Sequence, residues 1–361
     1  MKKEYLHPYD QHPLTNRGVG LVPENGLRAC VDWCEATFKI VSTEQLILDI
    51  LRMNPEDFFN GEGKYGYKQS LQCGSIFIYF DGREDMGIHL TMKGKGCREY
   101  ERLGKRTWKE FFQTVFEYQG SFTRLDVAVD DFEGMFTIKG LVRKVKSREL
   151  VSKFRKARNV EDIDIRTGEV HGVTLYFGSG KSDIQIRMYD KLSERKDTNY
   201  NVPEEIKVWN RTELQLRDMK ATHVAEIIAH KEDSEESIGQ TVCGILKHYL
   251  RFTVKGKNKD KYKWKTAPFW DKFLGRVEAL PLATIIEEKT VFDKQEWAER
   301  QVSPTLALIC EAYGGNEQVI LDLVKKGLHR LKAKDFDMIR KHKEEIKKTS
   351  IASETMKVAE K

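Results

Sequence analysis

The stretch GSGKSDIQIRMYDK, residues 178–191, decides how the rest of the chain is read. A turn bracketed by Gly178 and Gly180 feeds an alternating run in which Ile184, Ile186 and Met188 point one way. Asp183, Gln185, Arg187 and Tyr189 point the other, the pattern of a strand with one apolar and one polar face. Tyr189 shares its face with Arg187, and Lys191 follows two residues on. A cation beside a phenol lowers its pKa or steadies a phosphate, which is what a tyrosine needs to attack a phosphodiester. A packing tyrosine with a wet hydroxyl fits the same residues, so this stretch by itself leaves both readings open.

Two other segments repeat the design. In RLDVAVD, residues 124–130, the apolar side is Leu125, Val127 and Val129, which leaves Arg124, Asp126 and Asp130 together on the other face. In RTELQLR, residues 211–217, Leu214 and Leu216 are the buried pair, and Arg211, Glu213, Gln215 and Arg217 share the polar side. If the three strands are neighbours, Asp126, Asp130, Glu213 and Gln215 are candidate ligands for a hard divalent cation, Mg²⁺ or Mn²⁺. Such an ion polarises a scissile phosphate and offsets charge in the transition state. Arg187, Lys191 and Arg211 are then candidate phosphate clamps. Solvated cross-strand ion pairs on an open sheet face are the alternative.

The segments RLDVAVDD (124–131), LYFGSGKSDIQIRMYDK (175–191) and NRTELQLR (210–217) resemble the Rep_trans superfamily. That family comprises rolling-circle replication initiators of small Gram-positive plasmids and MobT-type relaxases of integrative and conjugative elements. GIHLTMKGKGCREYE, residues 87–101, is similar to the family's upstream segment: it keeps Gly94, Gly96, Cys97 and Arg98 but carries Lys93 and Lys95 where the family has serine and glutamine. WKTAPFWDKFLG, residues 264–275, is similar to the conjugative-element branch. The resemblance spans roughly residues 27–275. It implies a tyrosine nuclease that nicks one strand of origin DNA, single-stranded or extruded as a hairpin, stays joined to the 5′ phosphate and later reseals it. Tyr189 falls on the family's nucleophile position. A helicase or a coupling ATPase is the implied partner. Three rivals stay open: a DNA-binding replication factor without catalysis, a hydrolytic metal nuclease whose product carries no protein, and a tyrosine recombinase. The last normally wants arginine and histidine around the phenol, to which these carboxylate strands are a poor match.

Composition is compatible with this. Sixty-two Lys and Arg against 56 Asp and Glu leave a net charge of only +6, so distribution matters more than balance. Six cysteines, at 30, 34, 73, 97, 243 and 310, form no CxxC pair, which argues against zinc and fits a reduced cytosol. Cys30 and Cys34 lie in the apolar run ACVDWCEATF and read as small core residues. With no signal peptide and no apolar run long enough to cross a bilayer, a cytoplasmic protein without membrane attachment is expected.

In chain order, residues 1–26 read as an irregular arm punctuated by proline and glycine. Strands are expected at 31–40, 65–73, 75–81 and 87–93, with helices at 42–52 and 108–118. His89 alternates with Ile88 and Leu90 and reads as structural. The expected fold is α+β: an antiparallel sheet backed by helices forms a catalytic domain over 27–250, followed by a basic segment and a small helical C-terminal domain over 251–345. That helical domain is a candidate for sequence recognition or homodimerisation. A disordered tail is expected over 346–361. Two basic elements are expected to hold DNA phosphates. Residues 138–158 read as one basic helix carrying Lys144, Arg148, Lys153, Arg155 and Lys156. Residues 255–265 set a lysine at every other position, including Lys261, Lys263 and Lys265, with Tyr262 and Trp264 between them. If extended, that run suits a single strand tracked by charge and stacking. Arg124 and Arg211 are expected to join these contacts.

Overall fold

Leu27–Phe38 forms a long strand, β1, in which Cys34, Ala36 and Phe38 are buried while Trp33, Glu35 and Thr37 face the other way. The computed structural model that shows this describes residues 26–103, 106–197, 202, 204–231, 237–275, 291–332, 335–336, 338–343 and 346. The expected N-terminal arm and C-terminal tail therefore lie almost wholly outside the described residues.

The strands that follow are β2 (Phe59–Glu62), β3 (Gln69–Cys73), β4 (Ile76–Phe80), β5 (Ile88–Lys93), β6 (Ser121–Asp131), β7 (Leu150–Ser152), β8 (Ala157–Ile163), β9 (Val170–Phe177), β10 (Ile184–Asp190), β11 (Asn210–Arg217) and β12 (Leu250–Phe252). Ten of them form one sheet in the order β2-β3-β4-β5-β1-β6-β11-β10-β9-β8, with every neighbouring pair antiparallel. β7 and β12 make a separate two-stranded ribbon.

The helices are α1 (Thr43–Gln45), α2 (Gly94–Leu103), α3 (Trp108–Glu117), α4 (Ile138–Lys146), α5 (Lys191–Asp197), α6 (Asp218–His230), α7 (Ser237–Tyr249), α8 (Pro268–Leu274), α9 (Val291–Gln301), α10 (Ser303–Ala312) and α11 (Gln318–Leu328). α1 opens with a Ser42/Gln45 capping box and continues as a π-helical turn over Leu46–Leu51. α6 and α7 pack on the central strands and α3 packs on α6. This buries Leu125, Val127, Ile186, Met188, Leu214 and Leu216 in one core with Phe111, Phe112, Val224 and Leu246. Each such side chain contributes about 1.5–3 kcal/mol on burial. The apolar halves of the three strands read from sequence are thus spent on the helices, and their polar halves share the opposite face.

Three expectations are corrected. The basic run 138–158 is one helix only to Lys146: Arg148 turns into the left-handed region at φ 63°, and the Glu149 N–H bonds back to the Lys144 carbonyl at 2.8 Å, closing the helix. The chain then enters β7 and β8. The hairpin β8–β9 had no counterpart in the sequence reading, because ARNVEDI is a mostly exposed edge strand with little apolar alternation. The lysine-rich run 255–265 is not extended either. A Thr253–Thr266 bridge and the Val254 N–H bond to the Lys265 carbonyl close it into a loop with a 3₁₀ turn at Lys261–Lys263. Trp270 of α8, fully buried, joins the same core. The chain divides into two compact units, 1–283 and 284–361, so residues 251–275 belong with the sheet. The second unit contains α9, α10 and α11.

Candidate active site

The face of the sheet turned from the helices carries its polar residues in cross-strand rows. Tyr189 on β10 lies opposite Arg211 on β11, which lies opposite Asp130 on β6. In the next row Arg187 lies opposite Glu213, and one further on Gln215 lies opposite Asp126. Paired side chains on one face are near neighbours, about 4.5–5.5 Å between Cβ atoms. The three strands are therefore adjacent, and the phenol, acids and cations meet.

The Tyr189 hydroxyl donates to Glu213 Oε2 at 3.4 Å and accepts from Lys191 Nζ at 3.3 Å. Arg187 donates to Glu213 Oε1, and Lys191 pairs with Glu194. Burial, followed by the charge of Glu213, holds the Tyr189 phenol well above its ordinary value. It therefore holds its proton firmly, and Glu213 is the carboxylate within hydrogen-bond reach of it. Burial, with Arg211 and Arg195 nearby, lowers the Lys191 ammonium to about 8, so it can part with a proton near neutral pH.

The expected cation ligands separate into two groups. Asp130, fully buried, accepts Arg211 Nε at 2.6 Å and Nη2 at 2.8 Å and also Arg28 Nη2 at 2.8 Å; burial would raise its pKa, but these guanidiniums outweigh it and hold the carboxyl at about 2. Its oxygens are committed. Asp126 accepts Arg124 at 2.7 and 3.0 Å, yet burial and the neighbouring charge of Glu213 push it up to about 7. Gln215, with its amide oxygen turned toward Arg124, accepts Nε at 2.9 Å. No cluster of three or more His, Cys, Asp or Glu side chains stands as a cation site among the described residues. The donors that fit an ion are Asp126, Glu213 and the Gln215 amide, and only with Arg124 and Arg187 turned away. Arg211 is also placed differently from expectation. It is fully buried between Asp130 and Asp32, the latter at 2.8 Å from Nη1, so it braces the site from within the sheet.

Tyr189, Arg187 and Lys191 line an open cavity of about 610 Å³. Its far wall holds residues not singled out from β1: Asp32 and Trp33, brought there by a bulge between Val31 and Trp33 that breaks the alternation of the strand. Lys93, which ends β5, and Gly94 and Lys95, which start α2, line it too. The two lysines that depart from the family pattern are thus the ones facing the tyrosine's cavity. Arg124 stacks on Trp33 at 3.6 Å and Lys93 on the same ring at 4.9 Å. His89 sits elsewhere, bonded through Nδ1 to Thr37 at 3.0 Å and stacked with Tyr67 and Tyr79, and burial lowers its pKa.

A model of the replication initiation factor family matches residues 120–324, and one of the rolling-circle replication initiation protein N-terminal domain matches residues 28–114. The chain belongs to the replication initiation factor family. It is 32% identical over 315 residues to the "Putative DNA relaxase NicK" of Bacillus subtilis (strain 168), covering 84% of this chain and 88% of that protein. Among solved structures it is similar to the rolling circle replication initiator protein from Geobacillus stearothermophilus, at 43% identity and a TM-score of 0.64, covering 72% of this chain and 99% of that one. The antiparallel sheet backed by helices is the fold of a rolling-circle initiator.

On this initiator fold the basic elements converge. Arg148, Arg155 and Lys156 line one small cavity, about 170 Å³, together with Lys261 from the second element, whose Nζ bonds the Leu150 carbonyl at 2.8 Å. Arg148, Lys153, Arg155 and Lys156 are exposed and form no ion pair among the described residues. Lys263 and Lys265 are also exposed, and Trp264 is tied down, its indole donating to the Asn258 carbonyl at 2.6 Å. Lys144 differs from expectation: it bonds Glu149 at 2.7 Å and the Thr253 carbonyl at 2.9 Å, pinning α4 to the chain after β12. A cross-strand row leads from the site to this basic edge, Glu213 to Arg187 to Tyr176 to Arg158, with Arg158 over the Tyr176 ring at 4.7 Å. No helix among the described residues is long and apolar enough to cross a membrane.

Proposed function

We propose that this initiator-family chain nicks and rejoins one strand of origin DNA through a covalent phosphotyrosine at Tyr189, starting rolling-circle replication or conjugative transfer. The observation that carries the reading is the Tyr189 hydroxyl, held between a carboxylate at 3.4 Å and an ammonium at 3.3 Å on the wall of an open cavity. Glu213 takes the phenolic proton. The phenolate oxygen attacks phosphorus, the P–O3′ bond breaks, and Lys191 supplies the proton that the departing 3′ oxygen takes up. The 5′ end stays on the tyrosine, and the reverse sequence reseals the strand. A buried lysine with a lowered proton affinity on one side of a nucleophile and a carboxylate on the other is an arrangement suited to acid–base chemistry near pH 7.

Asp126, Glu213 and Gln215 would hold Mg²⁺ or Mn²⁺. When bound, the ion would polarise the scissile phosphate and offset the charge that builds on it. Arg158, Arg155, Lys156 and Lys153 carry the strand away along the basic edge, by charge alone and without reading sequence. A helicase or a coupling ATPase then takes the displaced strand.

The test uses oligonucleotides tiled across the origin of the parent element, labelled at either end. A denaturant-resistant adduct that retains the 3′-terminal label and never the 5′ one, with the nucleotide located on the peptide containing Tyr189 by mass spectrometry, is the expected result. Cleaved DNA with no protein attached would instead make the chain a hydrolytic nuclease.

A further inference from the structure

A second cavity, of about 470 Å³, opens beside the first and shares Asp190 and Val173 with it. The start of α5 separates them: Lys191 lines the tyrosine's side and Leu192 the other. The second cavity is walled by Phe136, Leu192 and Trp209, with exposed Lys139 and Lys207 at its lip. Trp209 lines that wall and is 1% exposed, and its indole N–H, shielded from solvent, has no hydrogen-bond partner. A buried donor left unmade is costly, and one in a native fold calls for an explanation that a bound partner would supply.

We propose that this cavity receives one nucleobase of the strand joined at Tyr189, lifted out of the stack, and that a turn of the indole brings the Trp209 N–H to its edge. The inference rests on the phosphotyrosine reading and deepens it by assigning a base-specific subsite. Four features select a nucleobase. The cavity begins at the residue after the nucleophile, so a nucleotide next to the attacked phosphate lies within its reach. Its walls are aromatic and aliphatic and match the faces of a base. Its unpartnered donor matches a ring nitrogen or exocyclic carbonyl on a base edge. The two lysines at the lip match the flanking phosphates. Its volume lies within the roughly 300–1,000 Å³ of sites that enclose small organic groups. Basic surfaces give affinity without sequence information, so an initiator that acts at one origin needs such a reading point near the bond it breaks.

The experiment captures covalent adducts between the full chain and a library of single-stranded DNA randomised over its central positions, then sequences the DNA recovered from the protein. Wild type is expected to show a sharp base preference at one position within two nucleotides of the joined phosphate. Trp209→Phe keeps the wall and removes the donor, and should lower the preference at that position alone by roughly three- to tenfold, the worth of one hydrogen bond. Val208→Trp, at a lip residue that is 38% exposed, should fill the cavity and erase the preference while leaving the melting temperature close to that of wild type. Adducts from both variants with the wild-type profile at every position would overturn the base subsite while leaving the phosphotyrosine reading intact. A wild-type chain that forms no adduct with any sequence would overturn that reading itself, and the subsite with it.

Discussion

Lys191 is the residue on which pH should act most visibly. Its ammonium is held at about 8, so it is charged below that pH and neutral above it. As a proton donor to the leaving oxygen it is lost on the alkaline side, and nicking is expected to fall as pH rises through about 8. Lys191→Arg, which keeps its charge throughout, should flatten that limb of the rate profile. Asp130 governs stability. Its carboxyl is depressed to about 2 by Arg211 and Arg28, so its contribution is present above the unfolded value near 4 and is lost as pH falls through about 2. Asp130→Asn leaves buried Arg211 partly uncompensated and should cost about 3–5 kcal/mol in denaturant unfolding at pH 7. Tyr189, Arg187 and Glu213 were legible in the sequence because strict alternation fixes which face a side chain takes. Their pairing distances were not, since alternation says nothing about register between strands. Asp32 was invisible for a stricter reason: a bulge moves it out of the pattern that would have placed it.

The start of α2 shows what an element needs from a single position. A Cβ on Gly96 would meet the Ser75 carbonyl oxygen at 2.3 Å, so only glycine lets the helix seat against the β3–β4 turn. That turn is fastened by Glu99, whose Oε2 accepts the Ser75 N–H at 2.5 Å. Gly96→Ala is expected to lower stability by about 1–3 kcal/mol, read as a drop in Tm, because the clash is with backbone that must shift. It should also disturb Lys93 and Lys95 on the tyrosine's cavity. The glycines and the Cys–Arg pair here could be recognised in the sequence, but their reason is a close approach between elements that no local pattern shows. Elements with clear periodicity, β6, β10, β11 and α3, were placed correctly. The basic run 138–158 misled because lysine and arginine are good helix formers and conceal a stop that depends on one left-handed residue, Arg148. Likewise β8 carries too little apolar alternation to announce itself, and its existence depends on pairing with β9.

All the residues assigned to the reaction lie within the first compact unit, residues 1–283. A chain ending at residue 283 is therefore expected to melt cooperatively and to retain strand cleavage, measured as product per enzyme on a single-stranded substrate. Loss of cleavage with the melting transition intact would mean that α9 to α11 supply something to the chemistry. The fold class and the neighbourhood of three strands were readable from sequence because burial of alternating faces is a whole-molecule constraint. The engagement of Asp126, Asp130 and Glu213 by arginines was not, because a carboxylate on a polar face serves equally well as cation ligand or ion-pair partner. The central claim is that the Tyr189 oxygen becomes bonded to DNA. It is tested most directly by incubating wild type and Tyr189→Phe with labelled single-stranded origin oligonucleotides and Mn²⁺, then separating the products under denaturing conditions. The account predicts a protein–DNA band for wild type and none for Tyr189→Phe, with DNA binding by the variant preserved; an equally intense band from the variant would contradict it.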